Sequence, residues 1–306
     1  MFPKNKKVIF IGGSSFSGST MLDMMMANSP DGFSVGEAYV LFHPFRPHHF
    51  KPECGCENPD CNFWLQVRKA GEKNFYKTIF TLLDDISFIV DSSKELWWIK
   101  KQSEYLQAQG ITVFHLLIWK EPAAFAYSNL KRNRENWRKF WINYYRLYFT
   151  LIKDYVKIAY SDLVQHPDII LQDLCSKTGL NFHQNQKKFW EKKHHTLFGN
   201  ASAKIHLKDV NNRVPKQHKE GLENQEIQHQ HQSIYYDTSY LKRLPVAIKN
   251  DIENDTELKH IVSILQEKKG PSSEIDYSPT QLALIRTRWT IKSLVGRIFG
   301  RYREFY

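Results

Sequence analysis

Residues 8–23 constrain the fold more than any other part of the sequence. They read VIFIGGSSFSGSTMLD, which is a short apolar run, then glycine and serine, then an apolar run with helical spacing. This order predicts a β-strand, a glycine-rich turn and an α-helix. In such a turn, consecutive backbone N–H groups point towards one anion, and the positive end of the helix dipole lies behind them. The stretch therefore predicts a phosphate-binding loop.

The loop departs from the nucleoside-triphosphate pattern at one position. It has the spacing G-x-x-x-x-G-S-T, with Ser19 where G-x-x-x-x-G-K-[ST] has lysine. It therefore lacks the cation that reaches the β- and γ-phosphates of ATP or GTP, and we expect a nucleotide with a shorter phosphate group. The residues predicted to surround this phosphate are Gly13, Ser14, Ser15, Phe16, Ser17, Gly18, Ser19 and Thr20.

The chain then alternates between strand-like and helix-like segments. Residues 87–91 and 111–119 are compact apolar runs, and the second is apolar almost throughout, as in a strand buried on both faces. The segments with helical character are 64–83, 95–109, 123–133, 136–155 and 167–178. This rhythm predicts an α/β fold of three layers, with a central parallel sheet flanked by helices as in P-loop NTPases. We expect it to form one domain over residues 1–278.

Polar side chains follow several of the predicted strands. Glu37 follows a short strand at residues 33–35, residues 91–94 follow the run that starts at residue 87, and Lys120 follows residues 111–119. The carboxyl ends of parallel strands meet at one edge of the sheet, and ligands bind there. We therefore expect these side chains to lie around the phosphate loop.

Together these stretches resemble the nucleotide-dependent sulfotransferases, which take sulfate from 3′-phosphoadenosine 5′-phosphosulfate (PAPS). Residues 13–22 are similar to the family's 5′-phosphosulfate loop, G-x-x-R-S-G-T/S-T-L-L, and residues 119–128 to its 3′-phosphate motif, R-D-P-R-A-x-x-x-S. Residues 160–180 resemble its Y-E-D-L…P…L-C…G-L segment. The DSSK at 91–94 and the CGC…CNFW at 54–64 resemble elements of the bacterial branch.

The resemblance implies a donor, a product and a set of roles. PAPS would be the donor and 3′,5′-ADP the product, and no metal would be required. Glu37 would be the base that takes the acceptor proton, and Lys94 the cation that stabilises the bridging oxygen. The residues implied for the 3′-phosphate are Lys120 and Ser128, helped by Lys131 or Arg132, with Arg213 reaching the cofactor. Structural roles remain open for several of these residues: Glu37 as a helix cap, Lys94 as a surface lysine and Ser128 as a mid-helix serine.

Two positions depart from the family pattern. Phe16 stands where the family usually has a basic residue, and Lys120 where its 3′ motif has arginine. At position 120, lysine keeps the charge of arginine but loses its bidentate geometry. At position 16 the cation is missing, and Lys94 is the best candidate to replace it. The alternatives are a non-catalytic binding protein with a sulfotransferase fold, and a P-loop kinase or NTPase with Asp91 as its magnesium-binding acid.

Three of the four cysteines are clustered, at Cys54, Cys56 and Cys61. A zinc site would need a histidine as fourth ligand, from His43, His48 or His49. A disulfide between two of the cysteines is another alternative. Free thiols that pack a loop are the interpretation we favour, so no metal site is predicted.

Charge and the end of the chain bear on partners and location. The formal net charge of +11 suits an anionic ligand or surface. Residues 279–306 are basic and amphipathic, which predicts a helix that lies on an anionic membrane, or packs on the domain or a partner subunit. We expect a cytoplasmic protein with peripheral membrane contact through this helix, and no nucleic acid partner. The sequence leaves open the oligomeric state and the acceptor hydroxyl, which a glycan, lipid, tyrosine or small molecule could provide.

Overall fold

Five parallel strands form the centre of the molecule. The computed structural model of the chain describes residues 5–207, 233–234, 238–267 and 276–299. The strands are β1 Lys7–Gly12, β2 Gly32–Gly36, β3 Phe88–Asp91, β4 Thr112–Trp119 and β5 Val156–Ala159. Their order in the sheet is β2-β3-β1-β4-β5. Strands β2 and β3 lie on one side of the central strand β1, and β4 and β5 lie on its other side. This change of direction opens a crevice at the carboxyl end of β1.

Strand β1 shows why the sheet has cover on both faces. Val8 and Phe10 belong to one hydrophobic core, and Ile9 and Ile11 belong to a second core on the opposite face. All four side chains are fully buried. Successive side chains of a strand point to opposite faces, so an uninterrupted apolar run needs a helical layer on each side. The predicted three-layer α/β fold is confirmed.

The helices that form the outer layers follow the strands closely. Their bounds are α1 Ser19–Met26, α2 Tyr39–Phe42, α3 Phe63–Lys69, α4 Phe75–Leu82, α5 Leu96–Ala108, α6 Pro122–Leu130, α7 Trp137–Leu151, α8 Tyr160–Gln165, α9 Pro167–Thr178, α10 Ala201–Lys204, α11 Tyr240–Arg243, α12 Val246–Asn254, α13 Thr256–Gln266 and α14 Pro279–Phe299. Pro122 begins α6, where its missing N–H costs nothing. Gly179, in a left-handed conformation, ends α9. Both ends were predicted from the sequence.

One predicted helix is wrong. Residues 64–83 form two helices, α3 and α4, because Gly71 adopts a left-handed φ of 82° between them. Its N–H bonds the carbonyl of Arg68 and so closes α3. The residues before α3 include two buried side chains, His49 and Cys56.

The predicted C-terminal helix is present as α14. Leu282, Ile285 and Trp289 pack against the main hydrophobic core, whereas Leu284 and Ile291 are more than half exposed. The helix thus packs on the domain through one side, as one of the alternatives predicted, and contact of its other side with a membrane stays a prediction. Within the described ranges, every helix is too short or too polar to cross a lipid bilayer.

Candidate active site

The loop between β1 and α1 depends on glycine at two positions. A Cβ atom on Gly13 would lie 2.5 Å from the carbonyl oxygen of Ile118. Gly18 has a φ of 98°, and a Cβ there would lie 2.4 Å from the ring of Tyr160. Both contacts are too close for any side chain. The glycine spacing read from the sequence therefore reflects close packing of the loop against β4 and α8.

The loop presents a row of backbone donors. Its N–H groups that bond no other described residue are those of Ser15, Phe16, Gly18, Ser19 and Thr20. No acidic side chain lies in the first turn of α1, and none caps it. Free N–H groups at the positive end of a helix dipole favour an anion. The geometry of the loop therefore suits a phosphate or sulfate group, and binding of one stays a prediction.

Tyr144 of α7 fixes one side of this loop. Its hydroxyl accepts a hydrogen bond from the N–H of Gly13 (2.7 Å) and donates one to the carbonyl oxygen of Lys94 (3.1 Å). Burial raises the pKa of this phenol well above its usual value, so it remains a neutral donor. The neighbouring Tyr145 hydroxyl lies 3.2 Å from the Ser14 hydroxyl. Tyr144 thus links the loop to the turn that follows β3, and Tyr145 adds a second contact between α7 and the loop.

Glu37 and Lys94 form an ion pair at the mouth of the crevice. Glu37 follows β2, Lys94 follows β3, and the Lys94 ammonium donates to the Glu37 carboxylate over 2.5 Å. Lys94 has a left-handed φ of 61°, a conformation that costs energy for a residue with a side chain. The turn is held by Ser93, whose hydroxyl accepts the N–H of Tyr39 (3.0 Å). The structure thus brings together the two side chains predicted to be catalytic.

The loop and the ion pair share one cavity. Its volume is about 470 Å³. The predicted site residues that line it are Gly13, Ser14, Ser15, Phe16, Gly18, Ser19, Thr20, Glu37 and Lys94. Ser17, Lys120 and Ser128 are not in its lining, and Arg213 lies outside the described residues. The predicted 5′-phosphate and catalytic groups therefore converge, whereas of the described residues predicted for the 3′-phosphate Arg132 lines the cavity and Lys120 and Ser128 do not.

Two arginines lie against the ring of Phe16. The guanidinium of Arg132 is 4.1 Å from the ring centroid and that of Arg134 is 5.4 Å from it. Such cation–π contacts hold a guanidinium in place. Burial, with the neighbouring charge of Arg134, lowers the pKa of Arg132. Both arginines line the cavity, so positive charge is present beside the loop although residue 16 carries none.

The predicted 3′-phosphate residues have structural partners. The Lys120 ammonium lies 3.9 Å from the centroid of the Tyr160 ring. Burial, with the nearby Arg132 charge, lowers the pKa of Lys120 to about 8. The Ser128 hydroxyl donates to the carbonyl of Ala124 (2.9 Å), and the Ser128 carbonyl accepts from Arg132 (2.6 Å). Arg132 therefore lies between Phe16 and the two residues predicted for the 3′-phosphate, Lys120 and Ser128.

Buried acids support the site from below. Asp91 accepts hydrogen bonds from the Tyr76 hydroxyl (2.6 Å), the Trp98 indole (3.1 Å) and the backbone N–H of Ser93 (2.8 Å). Asp23 of α1 accepts from the Ser92 hydroxyl (2.6 Å), and its burial raises its pKa to about 7. Both acids are fully buried and hold the β3–α5 turn that carries Lys94.

Sequence reasoning missed several residues that line or close the cavity. Arg134 follows Arg132 in a short basic run that could have drawn attention to it. Tyr144 and Tyr145 lie in an aromatic helix whose pattern does not distinguish the rings that contact the loop. Asn200 donates its N–H to the Thr20 hydroxyl (3.1 Å) from a polar region that the sequence did not assign. Arg46 and His48 line the outer side of the cavity.

Comparison with known proteins identifies the fold. No protein-family model matches the sequence, and no curated protein matches it. The sulfotransferase domain from the Synechococcus PCC 7002 olefin synthase aligns with a TM-score of 0.51 and 15% identity, covering 88% of this chain and 98% of that domain. The sulfotransferase domain from the curacin biosynthetic pathway aligns with a TM-score of 0.50 and 14% identity, covering 86% and 98%. The chain shares the fold of these domains.

Proposed function

We propose that this chain is a sulfotransferase that moves a sulfuryl group from PAPS to an acceptor hydroxyl. The observation that carries the proposal is the cavity in which the free N–H groups of the 13–20 loop face the Glu37–Lys94 ion pair. One side of this cavity suits an anionic donor group, and the other side offers an acid–base pair. The fold shared with sulfotransferase domains supports the same assignment.

The loop is proposed to hold the 5′-phosphosulfate of the donor. Its backbone N–H groups and the dipole of α1 supply fixed positive potential without a lysine at Ser19. We assign to Arg132, which stacks on Phe16, the charge that the family's basic loop residue would provide. An arginine fork also matches the geometry of phosphate oxygens.

A second anion site is proposed behind the loop, around Lys120 and Arg132. Burial is the main cause that lowers the pKa of Lys120, and the charge of Arg132 acts in the same direction, so the two cations repel each other in the free protein. A 3′-phosphate placed between them would relieve this repulsion. Lys120 has a flexible four-carbon stem and could turn its ammonium from the Tyr160 ring to the phosphate.

The reaction assigns one task to each member of the ion pair. The acceptor oxygen forms a bond to sulfur while the bond from sulfur to the bridging phosphate oxygen breaks, and 3′,5′-ADP leaves. Glu37 takes the proton of the acceptor hydroxyl. Lys94 stabilises the negative charge that develops on the bridging oxygen. Tyr144 positions Lys94 relative to the loop, since its hydroxyl joins the Gly13 N–H to the Lys94 carbonyl.

The first test is calorimetry with 3′,5′-ADP. We expect the wild-type protein to bind it, and Arg132→Ala to weaken binding by tenfold or more, about 1.4 kcal/mol. The matched control is Arg138→Ala, which removes an arginine that pairs with Asp255 on the surface, away from the cavity, and should bind as wild type does. If the folded wild-type protein does not bind 3′,5′-ADP, the proposal fails.

The second test separates chemistry from binding. Glu37→Gln should still bind 3′,5′-ADP. The rate at which it forms 3′,5′-ADP from PAPS, with water or an added alcohol as acceptor, should fall by about a hundredfold or more. Lys94→Met should behave in the same direction. Lys101→Met is the matched control, because Lys101 also pairs with a glutamate, Glu72 over 2.7 Å, but does not line the cavity.

The non-catalytic alternative rests on Phe16. A sulfotransferase fold that only binds nucleotide would keep 3′,5′-ADP affinity and show no turnover over a broad acceptor panel. In that case Phe16→Arg should gain slow PAPS hydrolysis. The kinase alternative is less well supported, because Asp91 is fully buried and holds three protein donors rather than facing the cavity.

A further inference from the structure

The cysteine cluster meets a histidine that is distant in sequence. The Sγ atoms of Cys54, Cys56 and Cys61 and a ring nitrogen of His195 all lie within 4.8 Å of one another. The Nδ1 atom of His195 is 3.2 Å from the sulfur of Cys54 and 3.6 Å from that of Cys61. The histidines considered from sequence, His43, His48 and His49, do not belong to this cluster. His43 pairs with Glu72, and the ring of His49 contacts Phe45 and Phe198.

We propose that Cys54, Cys56, Cys61 and His195 bind one Zn²⁺ ion in a closed, structural Cys₃His site. Tetrahedral zinc with its usual bond lengths would place sulfur atoms about 3.8 Å apart and sulfur and nitrogen about 3.6 Å apart. The two observed nitrogen–sulfur distances, 3.2 and 3.6 Å, lie slightly below and at the expected value, and no two ligand atoms are more than 4.8 Å apart. Small shifts of the side chains would therefore reach the zinc geometry. Zinc would replace the three thiol protons, and the charge of exposed Lys193, which acts on both Cys56 and His195, would offset the net negative charge of the site.

The backbone around the cluster is shaped for this arrangement. The Gly55 N–H bonds the carbonyl of Thr196 (3.0 Å), and a Cβ on Gly55 would lie 2.8 Å from that oxygen. Glu57 takes a left-handed φ of 57° in the turn that follows. Glycine thus lets the segment between Cys54 and Cys56 lie directly on the segment that carries His195. Four soft and borderline donors from two distant parts of the chain converge on one point.

The histidine is oriented by its surroundings. The indole of Trp64 donates to the carbonyl oxygen of His195 (2.6 Å), and the imidazole lies beside the rings of Phe33 and Phe63. Such packing around a ligand fixes its orientation and limits water access. All four ligand positions are supplied by the protein, which is typical of structural zinc and leaves no open position for catalysis.

The proposed metal would hold a segment that closes the active site. We call residues 192–200 the closing segment. Its Lys192 ammonium bonds the carbonyl of Ser29 (2.6 Å), its Leu197 carbonyl accepts the N–H of Glu37 (3.1 Å), and its Asn200 N–H bonds the Thr20 hydroxyl (3.1 Å). His195 lies between these anchors. Zinc would therefore stabilise the backbone that positions Glu37 and one side of the phosphate loop.

The test is metal content of the full-length protein, purified under reducing conditions from cells grown with added zinc. We expect one zinc per chain by mass spectrometry, and much less in Cys56→Ser and His195→Gln. Cys175→Ser and His48→Gln are the matched controls. Cys175 is buried against Gln186, His48 is exposed, and neither belongs to the cluster, so both variants should keep their zinc.

A second measurement on the wild type alone keeps the test decisive if a variant fails to fold. A mercurial reagent should release the zinc stoichiometrically, and cobalt in its place should give thiolate-to-cobalt charge transfer and intense tetrahedral bands. Substoichiometric zinc with four free thiols would show that the cluster packs as thiols, and two thiols without reductant would show a disulfide. Either result overturns the proposal. Because metal content is measured without nucleotide, it is independent of the proposed sulfotransferase activity.

Discussion

At the scale of single residues, charge that is missing at one position is supplied from another element. Phe16 has a left-handed φ of 64° and holds the guanidinium of Arg132 over its ring. The aromatic ring therefore positions a cation instead of carrying one. From the sequence alone Lys94 is the best candidate to replace the missing cation, but Lys94 is paired with Glu37. In the proposed reaction Arg132 therefore faces the donor phosphate, and Lys94 stabilises the bridging oxygen.

Lys120 should make nucleotide binding depend on pH. Its pKa in the free protein is about 8, and a bound 3′-phosphate would raise it by favouring the ammonium form. As the pH rises from 7 to 9, the free protein loses this proton, so binding must take it up again and the affinity for 3′,5′-ADP should fall by about tenfold. Calorimetry at several pH values and in buffers of different ionisation enthalpy measures both the affinity and the proton uptake.

Lys120→Arg is the control for this pH dependence. Arginine keeps its charge over the whole range, so affinity should be flat between pH 7 and 9 and proton uptake should vanish. Wild-type affinity that does not change over this range would show that Lys120 does not contact the nucleotide.

Asp23 should make stability depend on pH in the direction opposite to a salt-bridged carboxylate. Burial raises its folded-state pKa from 3.8 to about 7. The folded state therefore holds this proton more tightly than the unfolded state. The resulting contribution of Asp23 to the free energy of unfolding is fully present below pH 3.8 and lost as the pH rises through 7. Asp23→Asn has no such proton to lose. As the pH rises over that interval, the free energy of unfolding of the variant should therefore increase relative to that of the wild type by up to about 4 kcal/mol. Urea unfolding of both proteins across this range tests it, and parallel curves would contradict the buried, protonated acid.

At the scale of elements, the closing segment shows how non-local contacts complete a site. Residues 192–200 contain only a few apolar side chains and have no period that predicts a helix or strand. Three of them are nevertheless buried, His194 almost completely and Thr196 and Leu197 fully. Backbone pairing with Val35 and Glu37 determines their position. Sequence periodicity records burial of regular elements, so it gives no signal for such a segment.

Helix α14 presents an apolar pair to the outside, which allows a test of membrane contact. Leu284 and Ile291 are 56% and 55% exposed, two turns apart, with exposed Arg288 between them. We expect weak binding to vesicles of anionic lipid, since a basic amphipathic helix combines buried apolar area with electrostatic attraction. Leu284→Ser with Ile291→Ser should reduce sedimentation with such vesicles by severalfold and leave unfolding unchanged. Equal sedimentation of both proteins would mean that the helix serves only to pack on the domain.

At the scale of the whole molecule, nucleotide binding should stabilise the sheet and its two cores together. The loop, the Lys94 turn and the Lys120 region come from β1, β3 and β4, which are adjacent in the sheet. A ligand that bridges them binds only the folded state. At a hundredfold excess over its Kd, 3′,5′-ADP should add about 2.7 kcal/mol to the free energy of unfolding and raise the midpoint of thermal unfolding by roughly 5 °C. 5′-AMP at the same concentration should add less, and an equal shift would argue against a 3′-phosphate site.

The regular part of the fold could be predicted because its signals are local. The apolar run at 111–119 contains the strand Thr112–Trp119, and Pro122 and Gly179 mark helix ends where they were expected. The helix predicted over 64–83 failed at Gly71, where the apolar spacing continues through a residue whose backbone turns. Periodicity describes which side chains are buried, whereas the interruption of the helix depends on the φ angle of one residue, Gly71.

Local signals in the sequence are sufficient to predict the glycine-rich turn between β1 and α1, the parallel sheet and the placement of Glu37 and Lys94 at neighbouring strand ends. These follow from spacing along the chain and from the rule that parallel strands end at one edge. Three features depend on the folded chain: the contacts of Tyr144 and Tyr145 with the loop, the packing of Arg132 and Arg134 on Phe16, and the approach of His195 to three cysteines more than a hundred residues before it. Such contacts form between segments far apart in sequence, and they arise when both segments pack on the same sheet.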